Sequence, residues 1–222
     1  MKAYHFLRDD MTSSQGAEPP WQVGEERSMG GELILCERGY HHSPSWYDAL
    51  KYDPGHIACI VEVSDPVAND GTKAVSRTRK LIAAASIEHV LRLWACECAE
   101  RALLTQRGAG REPDPRSWRA IEVARAYTRD AASIEDLVAA RSAASSAAWS
   151  AAWLAARSAR SAARSAAWLA ASSAARSTAW LAAESAAESA RSADADAWLA
   201  ELAWQRQRLN EMVDAVFTEV RR

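Results

Sequence analysis

The sequence predicts an α+β protein. A small mixed α/β module over residues 1–84 is followed by an all-α, Ala/Trp-rich, folded-back helical bundle over residues 85–222. Three observations predict it. All nine Gly lie at or before Gly110 and all seven Pro at or before Pro115, so the last 107 residues lack both helix breakers. The first 84 residues carry turn signals and alternating apolar positions. Residues 139–204 are an Ala-rich array, and Ala has the highest helix propensity.

In chain order, Ala3–Leu7 suits a short strand, Trp21–Glu25 a second and Glu32–Cys36 a third. Ser43-Pro44 places a capping hydroxyl before a helix running from Pro44 to about Lys51. His56–Val63 is apolar and β-branched, which predicts a central strand. Asn69-Asp70-Gly71 is a turn, and the alternating run Lys73–Ile82 closes the module. A helix capped by Ser86 then carries Val90, Leu91, Trp94, Cys98 and Ala102 as one apolar stripe, with Cys96 and Cys98 facing different ways. Asp114-Pro115 starts the next helix, and Ser133 with Asp136 forms a capping box for another.

The array repeats fragments such as Arg164–Ala171 and Arg176–Ala183. A single helix from 133 to 220 would be a rod ~130 Å long, and its heptads are too irregular for a coiled coil. Residues 141–183 hold five Arg and no acid, whereas 184–201 hold Glu184, Glu188, Asp194, Asp196 and Glu201 against Arg191. A basic helix lying antiparallel to an acidic one follows, with breaks at Ser172-Ser173 and Ser192–Asp194. The ten Trp, against two Phe, read as core filler. An exposed aromatic cleft for a base or sugar is the alternative.

Lys plus Arg is 27 and Asp plus Glu is 29, a net charge of −2 that excludes a general nucleic-acid binder. No stretch is long and apolar enough for a membrane span, no leader is evident, and four sparse Cys point to a reduced, cytoplasmic protein.

Two resemblances add to this. Trp21-Gln22-Val23-Gly24-Glu25, Leu35-Cys36-Glu37-Arg38-Gly39-Tyr40-His41-His42-Ser43, Ala49-Leu50-Lys51-Tyr52 and Lys73 resemble, in order, the elements of an uncharacterised phage and bacterial module that often precedes Ala-rich tails. Leu93–Glu100, Pro113–Arg116, Ala120–Tyr127 and Ala139–Arg141 resemble helical immunity proteins of bacterial toxin loci. That second likeness implies a helical fold and, as one alternative, toxin binding.

The most reactive-looking run is Tyr40-His41-His42-Ser43, between a strand and a helix N-terminus, where backbone N–H groups favour an anion. Tyr47 and Tyr52 follow closely, and Glu62 sits on the returning strand. The pattern resembles the NAD-binding half of ADP-ribosyltransferases, with His5 as the first-strand residue. A plainer structural role is also open, with His41 bonding backbone and Ser43 capping the helix. Cys36, His41 or His42, His56 and Cys59 form a metal alternative whose spacing fits no strong pattern. No phosphate-loop motif is present, so no cofactor is expected.

The expected function is a non-enzymatic phage or bacterial accessory protein, with a role in host–phage conflict. It would bind a nucleotide-type or other small anionic ligand through Tyr40, His41, His42, Ser43, Tyr47, Tyr52 and Glu62. Its helical half would contact a host protein or another copy of itself as a homo-oligomer. An ADP-ribosyltransferase-like enzyme and an immunity-type toxin binder are the alternatives.

Overall fold

The computed structural model describes residues 1–13, 18–52, 55–150, 175–191 and 195–220. The fold is α+β. The chain divides into two compact units, Met1–Glu88 with Leu209–Arg222, and His89–Arg208.

The first unit contains β1 (Lys2–Leu7), β2 (Glu26–Ser28), β3 (Tyr40–His42), α1 (Trp46–Ala49), β4 (Ile57–Val63), β5 (Ala68–Asn69), β6 (Ala74–Ser76) and β7 (Thr78–Ser86). One antiparallel sheet has the order β1-β4-β7-β2, with Lys2 opposite Glu62, Leu7 opposite Ile57, and a register shift between Ile60 and Val61. A second runs β3-β6-β5. The expected central strand is therefore β4, flanked on both sides.

Strand alternation explains the packing. On β1, Ala3 and Leu7 join Trp21, Tyr40, Cys59, Val61, Val63 and Leu81 in one core. Tyr4 and Phe6 point the other way, onto Trp46, with ring centroids at 4.3 and 6.0 Å. Phe217 stacks on the same indole at 5.3 Å, and Trp46 Nε1 donates to Asp214 Oδ1 at 2.9 Å. Removing a buried indole of this kind costs about 3–5 kcal/mol.

Several local expectations change. Trp21–Glu25 is not a strand: Glu25 N–H donates to Gln22 O in a turn, and the strand β2 itself starts at Glu26. Glu32–Cys36 is likewise a turn, in which Glu37 and Arg38 N–H both donate to Ile34 O and Cys36 takes a left-handed φ of 73°. The short helix is capped by Ser45, whose Oγ accepts from Asp48 N–H, so it starts at Trp46 rather than Pro44. Ser43 instead pairs with Tyr4 as an isolated bridge. The run Lys73–Ile82 splits at Arg77, with β6 in one sheet and β7 in the other. Ser86 ends β7 and is not the cap of the following helix, which begins at Glu88.

The second unit holds α2 (Glu88–Gly108), α3 (Pro115–Thr128), α4 (Ile134–Ser150), α5 (Ala175–Arg191) and most of α6 (Ala195–Val220). The predicted α2 stripe is buried throughout, and Cys96 and Cys98 are both buried with it. Asp114 caps α3 by accepting from Arg116 N–H at 2.8 Å, with Pro115 in the first turn. Ser133 and Asp136 exchange both bonds of a capping box, at 2.9 and 3.1 Å.

The buried face of α5 is Ala182, Ala183, Ala186, Ala187 and Ala190, while Leu181 is exposed. These small side chains leave the helix backbone within reach of a neighbour. Gln205 of α6 uses that access and donates to Ala183 O at 2.9 Å. Twenty-two residues of unbroken helix would span about 33 Å, so the chain folds back between them. Ala, rather than Trp, fills this face: Trp180 and Trp204 are half-buried and Trp198 is exposed. Glu201 pairs with Arg101 of α2 at 2.8 Å and Glu188 with Arg191 of its own helix at 2.7 Å. Arg157, Arg160, Arg164 and both expected break sites lie outside the described residues. No helix among the described residues is long and apolar enough to cross a membrane.

Candidate functional site

β3 is placed by pairing and by one glycine. Tyr40, His41 and His42 lie opposite Ser76, Val75 and Ala74 of β6. Gly39, just before it, has φ of +131°, and a Cβ there would sit 2.3 Å from Val75 Cγ2. Only glycine fits that position. Ser43 then joins β1 through reciprocal backbone bonds with Tyr4, at 3.0 and 2.9 Å. These constraints hold β3 at the mouth of a cavity of about 450 Å³.

The cavity is lined by Tyr40, His41, His42, Ser43 and Tyr52, as the sequence suggested, together with Tyr4, His5, Ser13, Glu18, Cys36, Lys73 and Arg79 among others. Tyr47 and Glu62 do not line it. Tyr47 is buried, with its N–H donating to Asn210 Oδ1 at 3.2 Å, and Glu62 is exposed on β4. The first-turn N–H groups of α1 are taken by Ser45 and Asn210, so the anion site expected at that helix start does not form. The metal alternative does not assemble either. His56 Nδ1 lies 3.1 Å from Asp9 Oδ1, Cys59 is in the core, and no group of three or more metal-ligating side chains occurs among the described residues.

Arg79 is the cavity's fixed charge. Its side chain is almost fully buried, with the guanidinium 4.4 Å from the Trp21 ring centroid and 5.0 Å from that of Tyr40. Nη2 donates to Ser13 Oγ at 3.1 Å and Nη1 reaches His41 O at 3.4 Å. Glu18 provides the nearest carboxylate, 3.9 Å away, and also accepts from Trp21 Nε1 at 3.3 Å. Burial, with Glu18 second, raises the Tyr40 phenol above its ordinary value.

The two β3 histidines have opposite tautomers. The hydroxyl of Ser76 donates its single proton to Ser64 O at 2.8 Å, so it must accept from His42 Nε2–H at 2.9 Å. His41 is reversed: its Nε2 accepts from Cys36 N–H at 2.8 Å, so the proton sits on Nδ1, on the side of the Gly39 backbone. The backbone-bonding role considered for His41 is therefore met. Lys73 Nζ lies 2.9 Å from Cys36 Sγ and 4.2 Å from the Tyr52 ring centroid.

All three cavity imidazoles are driven toward the neutral form. Burial pushes His42 down to about 4, with Arg79 the next cause. Burial and then Arg79 hold His5, whose Nε2 is shut off from solvent, well below its ordinary value. His41 is lowered by burial, then by Lys73 and Arg79. Burial is the largest cause for all three, and the Arg79 charge adds to it in each.

Arg79 and Glu18 escaped the sequence argument. One signal was present, since Arg79 shares strand parity with Leu81 and so faces the core side of β7.

A family model described as a domain of unknown function (DUF7666) matches residues 1–93, the stretch that supplies every residue lining the cavity. The chain is similar to that family over this part of its length. No curated protein and no solved structure matches the chain.

Proposed function

We propose that the N-terminal unit is a non-enzymatic binding module for a small anionic ligand of nucleotide type. One observation carries this: a cavity of about 450 Å³ that gathers Arg79, Lys73 and three neutral imidazoles beside tyrosine rings. That volume lies in the range of small-ligand sites. Guanidinium and ammonium groups meet the negative charge of the ligand. Glu62, which the ADP-ribosyltransferase alternative placed on the returning strand, does not line the cavity.

The resemblance to phage and bacterial modules supports an accessory protein of a bacterial cell or its phage, with a role in host–phage conflict. The four free cysteines fit a cytoplasmic location. Exposed Leu181, Trp198 and Leu199 support contact of the helical half with a host protein or a second copy.

The test is a thermal-shift and native-mass panel of mononucleotides, NAD and cyclic dinucleotides. A ligand at a hundred times its Kd stabilises the native state by about 2.7 kcal/mol. A retained ligand mass, weakened about tenfold or more by Lys73→Met, is expected. Failure of every member to shift melting or to remain bound overturns the proposal.

A further inference from the structure

The contact between Cys36 N–H and His41 Nε2 is 2.8 Å long, and it holds only while that nitrogen is unprotonated. A proton on Nε2 sets two donors against each other. The Cys36 amide and the imidazolium would then both seek an acceptor, and Lys73 Nζ already sits 2.9 Å from Cys36 Sγ. Three donors from the turn, β3 and the start of β6 would converge at one point on the cavity wall.

Charge around this point comes from every neighbouring element. β1 presents His5 and Tyr4, and the turn presents Glu37 and Arg38 beside Cys36. β3 adds Tyr40 and His42, β7 adds Arg79, the segment after α1 adds Tyr52, and the segment between β1 and β2 adds Glu18. The Met1 amine, bound to Val63 O, also acts on His42. Arg38, Lys73 and Arg79 outnumber Glu18 and Glu37, so an extra proton is opposed until a negative charge arrives.

Resting on the ligand-pocket reading above, we propose that a tetrahedral oxyanion, of phosphate or sulfate type, binds between Cys36 N–H, His41 Nε2 and Lys73 Nζ, and that His41 takes up one proton as it binds. His41 thus acts as the specificity residue for the ligand's anionic group, and binding is tighter in mild acid. Burial, then the Lys73 and Arg79 charges, lower the His41 titration in the free protein, in agreement with this order of events. The proton comes from solvent and adds to the Nε2 lone pair. The hydrogen bond lost is Cys36 N–H to that nitrogen, and the anion accepts from both groups in its place.

The experiment uses the full chain and inorganic sulfate, whose charge is constant across the range studied, with inorganic phosphate as a second arm. Sulfate affinity is measured from pH 5 to pH 8, and the His41 ring is followed by NMR with and without sulfate. The affinity is expected to fall as pH rises, by up to about tenfold per pH unit for one linked proton. The His41 titration should move upward by about two pH units or more when sulfate is bound, as uptake of a full proton requires. His41→Gln can still accept from Cys36 N–H but cannot take a proton, so it should bind sulfate with no pH dependence. Binding that is equal at all pH values, or pH dependence that survives in His41→Gln, overturns the proton coupling and leaves the pocket standing. If neither sulfate nor phosphate binds at pH 5, this proposal fails, and the nucleotide panel decides the ligand-pocket reading separately. The wild-type NMR titration keeps the test decisive if the variant does not fold.

Discussion

Acid should destabilise the N-terminal unit through His42 in particular. The ring is 4% exposed, so solvent screens it little. Its pKa is about 4 in the folded chain against an ordinary value of 6.5. Between those pH values the unfolded chain holds a proton that the folded chain rejects, so stability rises with pH there. The contribution is fully present above about 6.5 and is lost as pH falls toward 4. At 1.36 kcal/mol per unit of pKa difference, the loss is about 3 kcal/mol. His42→Gln keeps an N–H donor for Ser76 Oγ and cannot titrate. Urea unfolding at a series of pH values, read by hydrogen exchange of the β3 and β6 amides, should show the wild type losing about 3 kcal/mol more than the variant from pH 7 to pH 4. His5 and His41 are present in both proteins, so their contributions largely cancel in the difference. Parallel stability curves would refute the reasoning.

Two further outcomes follow from the same unit. Gly39→Ala should cost about 2–5 kcal/mol, combining a glycine-only backbone conformation with overpacking against Val75. Adding Val75→Ala should recover only the packing part, and a cost below about 1 kcal/mol in the single variant would contradict the geometry. A thiol-reactive disulfide reagent should modify one cysteine quickly in the native protein, Cys36, and all four in denaturant, because Cys59, Cys96 and Cys98 are buried. Burial lifts the Cys96 thiol to about 12, which slows it further. Two or more fast native thiols would contradict this.

Much of the helical half was legible because its signals are local. Asp114-Pro115 and Ser133 with Asp136 specify helix starts by bonds that span two or three residues. β1 and β4 were legible for the same reason, through apolar alternation or an apolar run. Leu33-Ile34-Leu35 misled, since its β propensity is overridden by a turn that places Cys36 at positive φ. β3 was hidden because its residues are aromatic and polar, and its pairing with β6 lies more than thirty residues away. The candidate site divides along the same line. Tyr40 to Ser43 is one contiguous run and could be picked out. Arg79 and Glu18 reach the cavity through tertiary structure, and a charged residue on a strand is ordinarily assigned to solvent.

The stacking of Phe217 on Trp46 sets the order of synthesis against the order of folding. The first unit contains Leu209–Arg222, so a ribosome must add the roughly 120 residues from His89 to Arg208 before that cover exists. At 5–20 residues per second, over the roughly 170 residues from Trp46 to Phe217, the nascent Trp46 face waits about 9–34 s for its full cover. During that interval it is open to chaperones or to another nascent chain. The fragment 1–93, although it spans the whole family match, would keep that face bare permanently. Soluble expression of the N-terminal unit should therefore require the last helix, supplied in the same chain or as a separate peptide.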